Sequence, residues 1–201
     1  MSSDGIKLIV GLGNPGIIYA SSRHNVGFMV LKSLASSLKI NFKRDSLVCA
    51  LVAKNKLFEQ EVVLALPQKY MNLSGIAVKA LLKKFKVDLK DLLVVCDDLD
   101  LELGIIKIRA QGSSGGQRGL ESIIEHLGTQ DFCRLRIGIG RPKSSQDAAR
   151  YVLSGFLRKE KTVIQQALED ARSCAVSWVE KGIAETMNIF NKQPVVGRRG
   201  N

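Results

Sequence analysis

The chain alternates short apolar runs that read as strands with segments of helical spacing, and this interleaving restricts it to an α/β architecture. Ile6–Leu12 reads as a buried strand that ends in glycines. Asn25–Leu38 follows with Val26, Met29, Val30 and Leu34 at the spacing of a helix. Leu47–Ala53 and Glu61–Leu66 are β-rich, with Lys54-Asn55-Lys56 between them as the expected hairpin turn. Asn72 or Ser74 is placed to cap a helix running to Lys86. Leu92–Cys96 is a further buried strand with an acidic end, Asp97, Asp98 and Asp100. Gly104–Ala110 alternates Ile106 and Ile108 with Lys107 and Arg109, and Phe132–Gly140 alternates Leu135, Ile137 and Ile139 with Arg134 and Arg136. The Gly/Ser loop Gln111–Gly119 and a short helix to Leu127 lie between them. Lys161–Gly182 has the apolar stripe of an amphipathic helix, with Ile164, Ala167, Ala171, Ala175 and Trp178 on one side.

These elements predict a single α/β domain over residues 1–191: a mixed, mostly parallel twisted sheet surrounded by helices. The hairpin and the short span from Leu92 to Ala110 require some antiparallel pairing. Residues 192–201 carry three positive charges and no acid, and are expected to form a disordered basic tail. A length of 201 residues suits one such domain. No apolar run approaches the roughly 20 residues that span a bilayer. The N-terminus shows neither a secretory nor a transit pattern, so the expected location is the cytoplasm. Cys49, Cys96, Cys133 and Cys174 form no CxxC pair, which favours inert thiols over a metal site or a disulfide scaffold.

Thirty Lys and Arg against nineteen Asp and Glu leave a net charge of +11. A surplus of that size favours a polyanionic partner, nucleic acid or an anionic membrane surface, over the plainer reading of solubility alone. Gly11-Leu12-Gly13-Asn14-Pro15-Gly16 matches the dinucleotide pattern GxGxxG, but no helix starts at its third glycine to meet a pyrophosphate. A tight turn that needs glycine explains those residues far better than a dinucleotide site. Gly112-Ser113-Ser114-Gly115-Gly116 fits GxSxG, yet the only histidine after Ser114 is His126, and Asp131 comes after it, not before, as a hydrolase triad would need.

Of the two histidines, His126 reads as structural. His24 stands in Ser22-Arg23-His24-Asn25, on the loop edge where α/β sheets form sites. A nearby carboxylate would fix its tautomer, and Asp97 and Asp98 end another strand. A structural His24 and a catalytic one both fit the spacing. Asn14, Asn25 and Asn72 at loop–helix junctions serve as caps, or as amides that grip a peptide backbone or an oxyanion. Lys107 with Arg109, and Arg134 with Arg136, are same-face basic pairs, either solvated or placed for phosphate contact.

Taken together, the segments resemble bacterial-type peptidyl-tRNA hydrolase. The resemblance runs through Leu8–Gly16, Tyr19 with Ser22–Gly27, Tyr70–Gly75, Asp97–Leu101, Gly115-Gly116 with Gly119-Leu120, and Arg134–Pro142, in the family's order. It implies hydrolysis of the ester joining a peptide to tRNA, without metal or cofactor, in service of translation. By the same resemblance His24 is the base, Asp97 orients it, and Asn14 and Asn72 line the peptide cleft with Met71 and Tyr19. Lys107, Arg109 and Arg136 would hold a tRNA phosphate, with the acceptor stem as partner, no membrane, and a monomer as the working form. The alternative within the family is a non-catalytic RNA-binding, splicing-factor-like member. The chain departs from the family's Gly-Gly-His-Asn-Gly, reading Gly115-Gly116-Gln117-Arg118-Gly119. Arg118 cannot accept a hydrogen bond. It is therefore expected to bind substrate, through a tRNA phosphate, or to pair with an acidic neighbour, and not to hold a water as asparagine does.

Overall fold

The computed structural model describes residues 5–142 and 148–191. Strands β1 (Lys7–Gly11), β2 (Lys43–Asp45), β3 (Ala50–Leu57), β4 (Gln60–Pro67), β5 (Leu92–Asp98), β6 (Ile106–Arg109) and β7 (Cys133–Gly138) form one sheet in the order β2-β3-β4-β1-β5-β7-β6. The central strands β4, β1, β5 and β7 run parallel. Antiparallel pairing is confined to the flanks, β2 with β3, β3 with β4, and β6 with β7. The sheet is thus mixed and mostly parallel, as the interleaving requires.

The central strands alternate between two cores because successive side chains point to opposite faces. Ile9, Leu93 and Val95 face α1 (Val26–Ser37) and α5 (Lys161–Phe190). Leu8, Val10, Leu92 and Val94 face α2 (Ser74–Phe85) and α3 (Arg118–Leu127). Both faces are covered, which is why β5 is buried along its whole length. A short helix, α4 (Ala148–Leu153), precedes α5. At Gly182, the expected end of the helix, α5 leaves helical geometry (φ 76°, ψ 178°), but it then runs on to Phe190, with Ile183, Met187 and Phe190 packed on the same core.

Several local expectations change. The hairpin turns at Phe58 and Glu59, both with positive φ, and not at Lys54–Lys56. Those three residues continue β3, opposite Val63, Val62 and Glu61, so their polar character marks an exposed stretch of strand. Neither Asn72 nor Ser74 caps α2: the Ser74 hydroxyl donates to the Met71 carbonyl instead. Arg134 is not on a solvated face. It is fully buried, stacks on Phe132, and donates to the carbonyls of Gly112, Ser113, Gln130 and Phe132, pinning the Gly/Ser loop to β7. Cys96, Cys133 and Cys174 are buried thiols and Cys49 is partly exposed. The tail from residue 192 lies outside the described residues.

Candidate active site

From the end of β1 the chain passes to α1 on one face of the sheet, while from β4 it passes to α2 on the other. Strand ends whose connections diverge in this way open a crevice at the carboxyl edge. Here it is a cleft of about 550 Å³, lined by Asn14, Tyr19, His24, Tyr70, Met71, Asn72, Asp97, Asp98, Gln117, Arg118 and Arg136, and walled by Val152 and Leu153 of α4.

His24 reaches the cleft because the start of α1 lies against the sheet. A Cβ at Gly27 would collide with the Val95 carbonyl and the Leu12 backbone, so only glycine permits this approach. The residue before His24 fastens the loop from behind. Arg23, 2% exposed, is sandwiched between Tyr151 and Phe156 and pairs with Glu160 at 2.6 Å.

Asp97 closes on His24 from the end of β5, its Oδ2 lying 2.8 Å from His24 Nδ1. Both side chains are nearly out of solvent, at 3% and 10% exposure. A carboxylate only accepts, so Nδ1 carries the proton and donates it, which leaves the Nε2 lone pair free to act as a base. The partner is Asp97 and not Asp98, which pairs with Arg136 and accepts the Asp100 N–H.

Asn14 is oriented as tightly. Its Oδ1 accepts the Met71 N–H at 2.8 Å, so its Nδ2 donors are turned to the cleft. Asn25 holds the same loop by accepting the Asn14 N–H at 2.9 Å and donating to the Asn14 carbonyl at 3.0 Å. Asn72 is exposed on the cleft wall, and Tyr19 lines the same cleft. Arg118 is exposed at the rim and makes no ion pair among the described residues, so the expected acidic neighbour is not found. Lys107 and Arg109 lie outside the cleft lining, on edge strand β6, with Lys107 directly opposite Arg136. The cleft lining, a buried histidine–carboxylate pair, and a basic sheet edge are thus brought together.

Sequence reasoning missed Gln117 as a site residue. Its Nε2 donates to Asp97 Oδ1 at 2.9 Å and its Oε1 accepts the Leu120 N–H at 2.8 Å. A polar side chain three residues before an unpaired helix amide, just after two glycines, was the available signal.

A sequence model of the family Peptidyl-tRNA hydrolase matches residues 8–197. The peptidyl-tRNA hydrolase of Aquifex aeolicus is 47% identical over 191 residues, covering 95% of this chain and 99% of its own. That of Desulfitobacterium hafniense is 43% identical over 187 residues, covering 93% of this chain and 100% of its own. The crystal structure of peptidyl-tRNA hydrolase from Acinetobacter baumannii superimposes with a TM-score of 0.88 at 35% identity, covering 95% of this chain and 98% of that one.

Proposed function

The chain belongs to the peptidyl-tRNA hydrolase family and hydrolyses the ester bond of peptidyl-tRNA, and on that footing we propose that His24 is the base of the reaction and Asp97 its fixed partner. The observation that carries this is the 2.8 Å contact between His24 Nδ1 and Asp97 Oδ2 at the cleft floor. Water gives a proton to His24 Nε2 as its oxygen adds to the ester carbonyl. The tetrahedral carbon then expels the ribose oxygen of the tRNA, which takes that proton from Nε2. Asp97 stabilises the imidazolium between the two steps, and the Nδ2 donors of Asn14 meet the developing oxyanion.

Met71, Asn72 and Tyr19 hold the peptide, and Arg118 at the rim meets a phosphate of the tRNA. Lys107, Arg109 and Arg136 face the acceptor stem, with Asp98 holding the Arg136 guanidinium in place. A net charge of +11 suits that partner. The working form is a cytoplasmic monomer, because one chain supplies the base, its partner and the amide donors. No helix among the described residues is long and apolar enough to cross a membrane. A binding-only, splicing-factor-like role gains no support: RNA affinity alone has no use for a base–carboxylate pair at the floor of a cleft.

Asp97→Asn tests the assignment. The variant keeps the shape but lets the amide stabilise the wrong imidazole tautomer, so kcat for release of N-acetylated aminoacyl groups from tRNA should fall by about 10³–10⁴. Release at the wild-type rate would refute the role of Asp97.

A further inference from the structure

Gln117 stands where the hydrogen bonds of the site begin, and we propose that it is the positioning residue that orients Asp97 and, through it, His24. The inference rests on the reading of His24 and Asp97 as base and partner. The two ends of the Gln117 amide are told apart by what they touch. A backbone N–H only donates, so the atom that receives the Leu120 N–H at 2.8 Å is Oε1. The NH₂ group must then face Asp97, whose Oδ1 it meets at 2.9 Å. Its second contact is the Met71 sulfur at 3.4 Å, a weak acceptor.

The amide itself is held. Gly115 and Gly116, with φ of 57° and 78°, turn the chain to deliver Gln117 to the start of α3. The Gln117 N–H donates to the Ser114 carbonyl at 3.0 Å, and buried Arg134 anchors the loop behind it. A continuous run of hydrogen bonds therefore leads from the first turn of α3 through Gln117 and Asp97 to His24 Nδ1. Among the described residues each Asp97 oxygen has one partner, Oδ1 the amide and Oδ2 the imidazole, so the carboxylate cannot rotate without breaking both. A neutral amide suits this place because it donates at every pH.

Gln117→Ser separates this role from helix capping. Serine caps a helix at least as well as glutamine but is too short to reach Asp97. The expected result is a fall in kcat of about 10–100-fold with KM within about twofold and an unchanged melting temperature.

Nitrogen-15 spectra of histidine-labelled protein give a second readout. The chain has two histidines, and His126 Nδ1, donating to the Ser122 carbonyl at 2.8 Å, is an internal reference. In wild type the neutral His24 ring should carry its proton on Nδ1; in the serine variant it should average between the two nitrogens. Wild-type kcat with an unaltered His24 signal would overturn the proposal. If the variant also melts earlier, spectra taken below the transition still decide it. Full activity of Asp97→Asn would sink both this proposal and the reading beneath it. Loss in Asp97→Asn beside wild-type behaviour in Gln117→Ser would sink this proposal alone.

Discussion

Asn14 Oδ1 accepts the Met71 N–H at 2.8 Å, so the loops after β1 and β4 meet across the mouth of the sheet with the Asn14 donors turned inward. Asn14→Asp keeps that acceptor and removes the donors. Its kcat is expected to fall by about 10²–10³ with little change in stability. Asn14→Ala also orphans the buried Met71 N–H, which adds about 1–3 kcal/mol of destabilisation. Parallel kinetics and thermal melts of the two variants check the distinction.

Arg23 predicts a different outcome from its neighbour His24. Its guanidinium is buried between Tyr151 and Phe156 and pairs with Glu160 at 2.6 Å. Glu160→Ala leaves that charge without its carboxylate, which should destabilise the fold by about 3–5 kcal/mol in urea titrations. An unchanged unfolding midpoint would show that the pair contributes little.

The basic residues of β6 and β7 separate by burial. Arg109→Ala should weaken tRNA binding and reduce the slope of log K against log salt by about 0.9, one phosphate contact. Arg134 faces the same side of the paired strands but is fully buried, with its donors spent on carbonyls. Its replacement should lower stability and leave the salt slope unchanged. Binding titrations over a salt series measure both.

The thiols give a pH prediction. Burial pushes Cys174 from its ordinary 9.0 up to about 12. Burial, with the charges of Asp97 and Asp98 adding to it, raises Cys96 as well. Unfolding returns both thiols to their ordinary range, where they ionise more readily than in the fold. Their contribution to stability is therefore complete below about pH 8.5 and declines as pH rises beyond it. Alkylation of the native protein near pH 8 should stop at Cys49, the partly exposed thiol, and reach all four after unfolding.

The sheet was legible in the sequence wherever the two faces of a strand differ or both are apolar. Ile6–Leu12 and Phe132–Gly140 contain β1 and β7, Leu92–Cys96 covers all of β5 but its last two residues, and the predicted end of the last helix at Gly182 falls on the glycine where α5 leaves helical geometry before running on to Phe190. What escaped depends on contacts distant in sequence. Arg134 alternates like a solvent-facing residue, and only the folded Gly/Ser loop, 22 residues earlier at Gly112, supplies the acceptor that buries it. The turn at Phe58-Glu59 was hidden because those residues take a backbone conformation more typical of glycine or asparagine. His24 could be placed at the sheet edge, but its carboxylate lies 73 residues away. The family resemblance, more than spacing, singled out Asp97. Gln117 stood out as a departure from the family pattern, yet its link to Asp97 exists only once α3 is docked.

The most direct test measures two quantities on one variant, His24→Ala: peptide release from N-acetylated aminoacyl-tRNA and the dissociation constant for tRNA. A general base predicts a fall in kcat of about 10²–10⁴ with affinity within about twofold of wild type. Release near the wild-type rate, or equal losses of turnover and affinity, would contradict it.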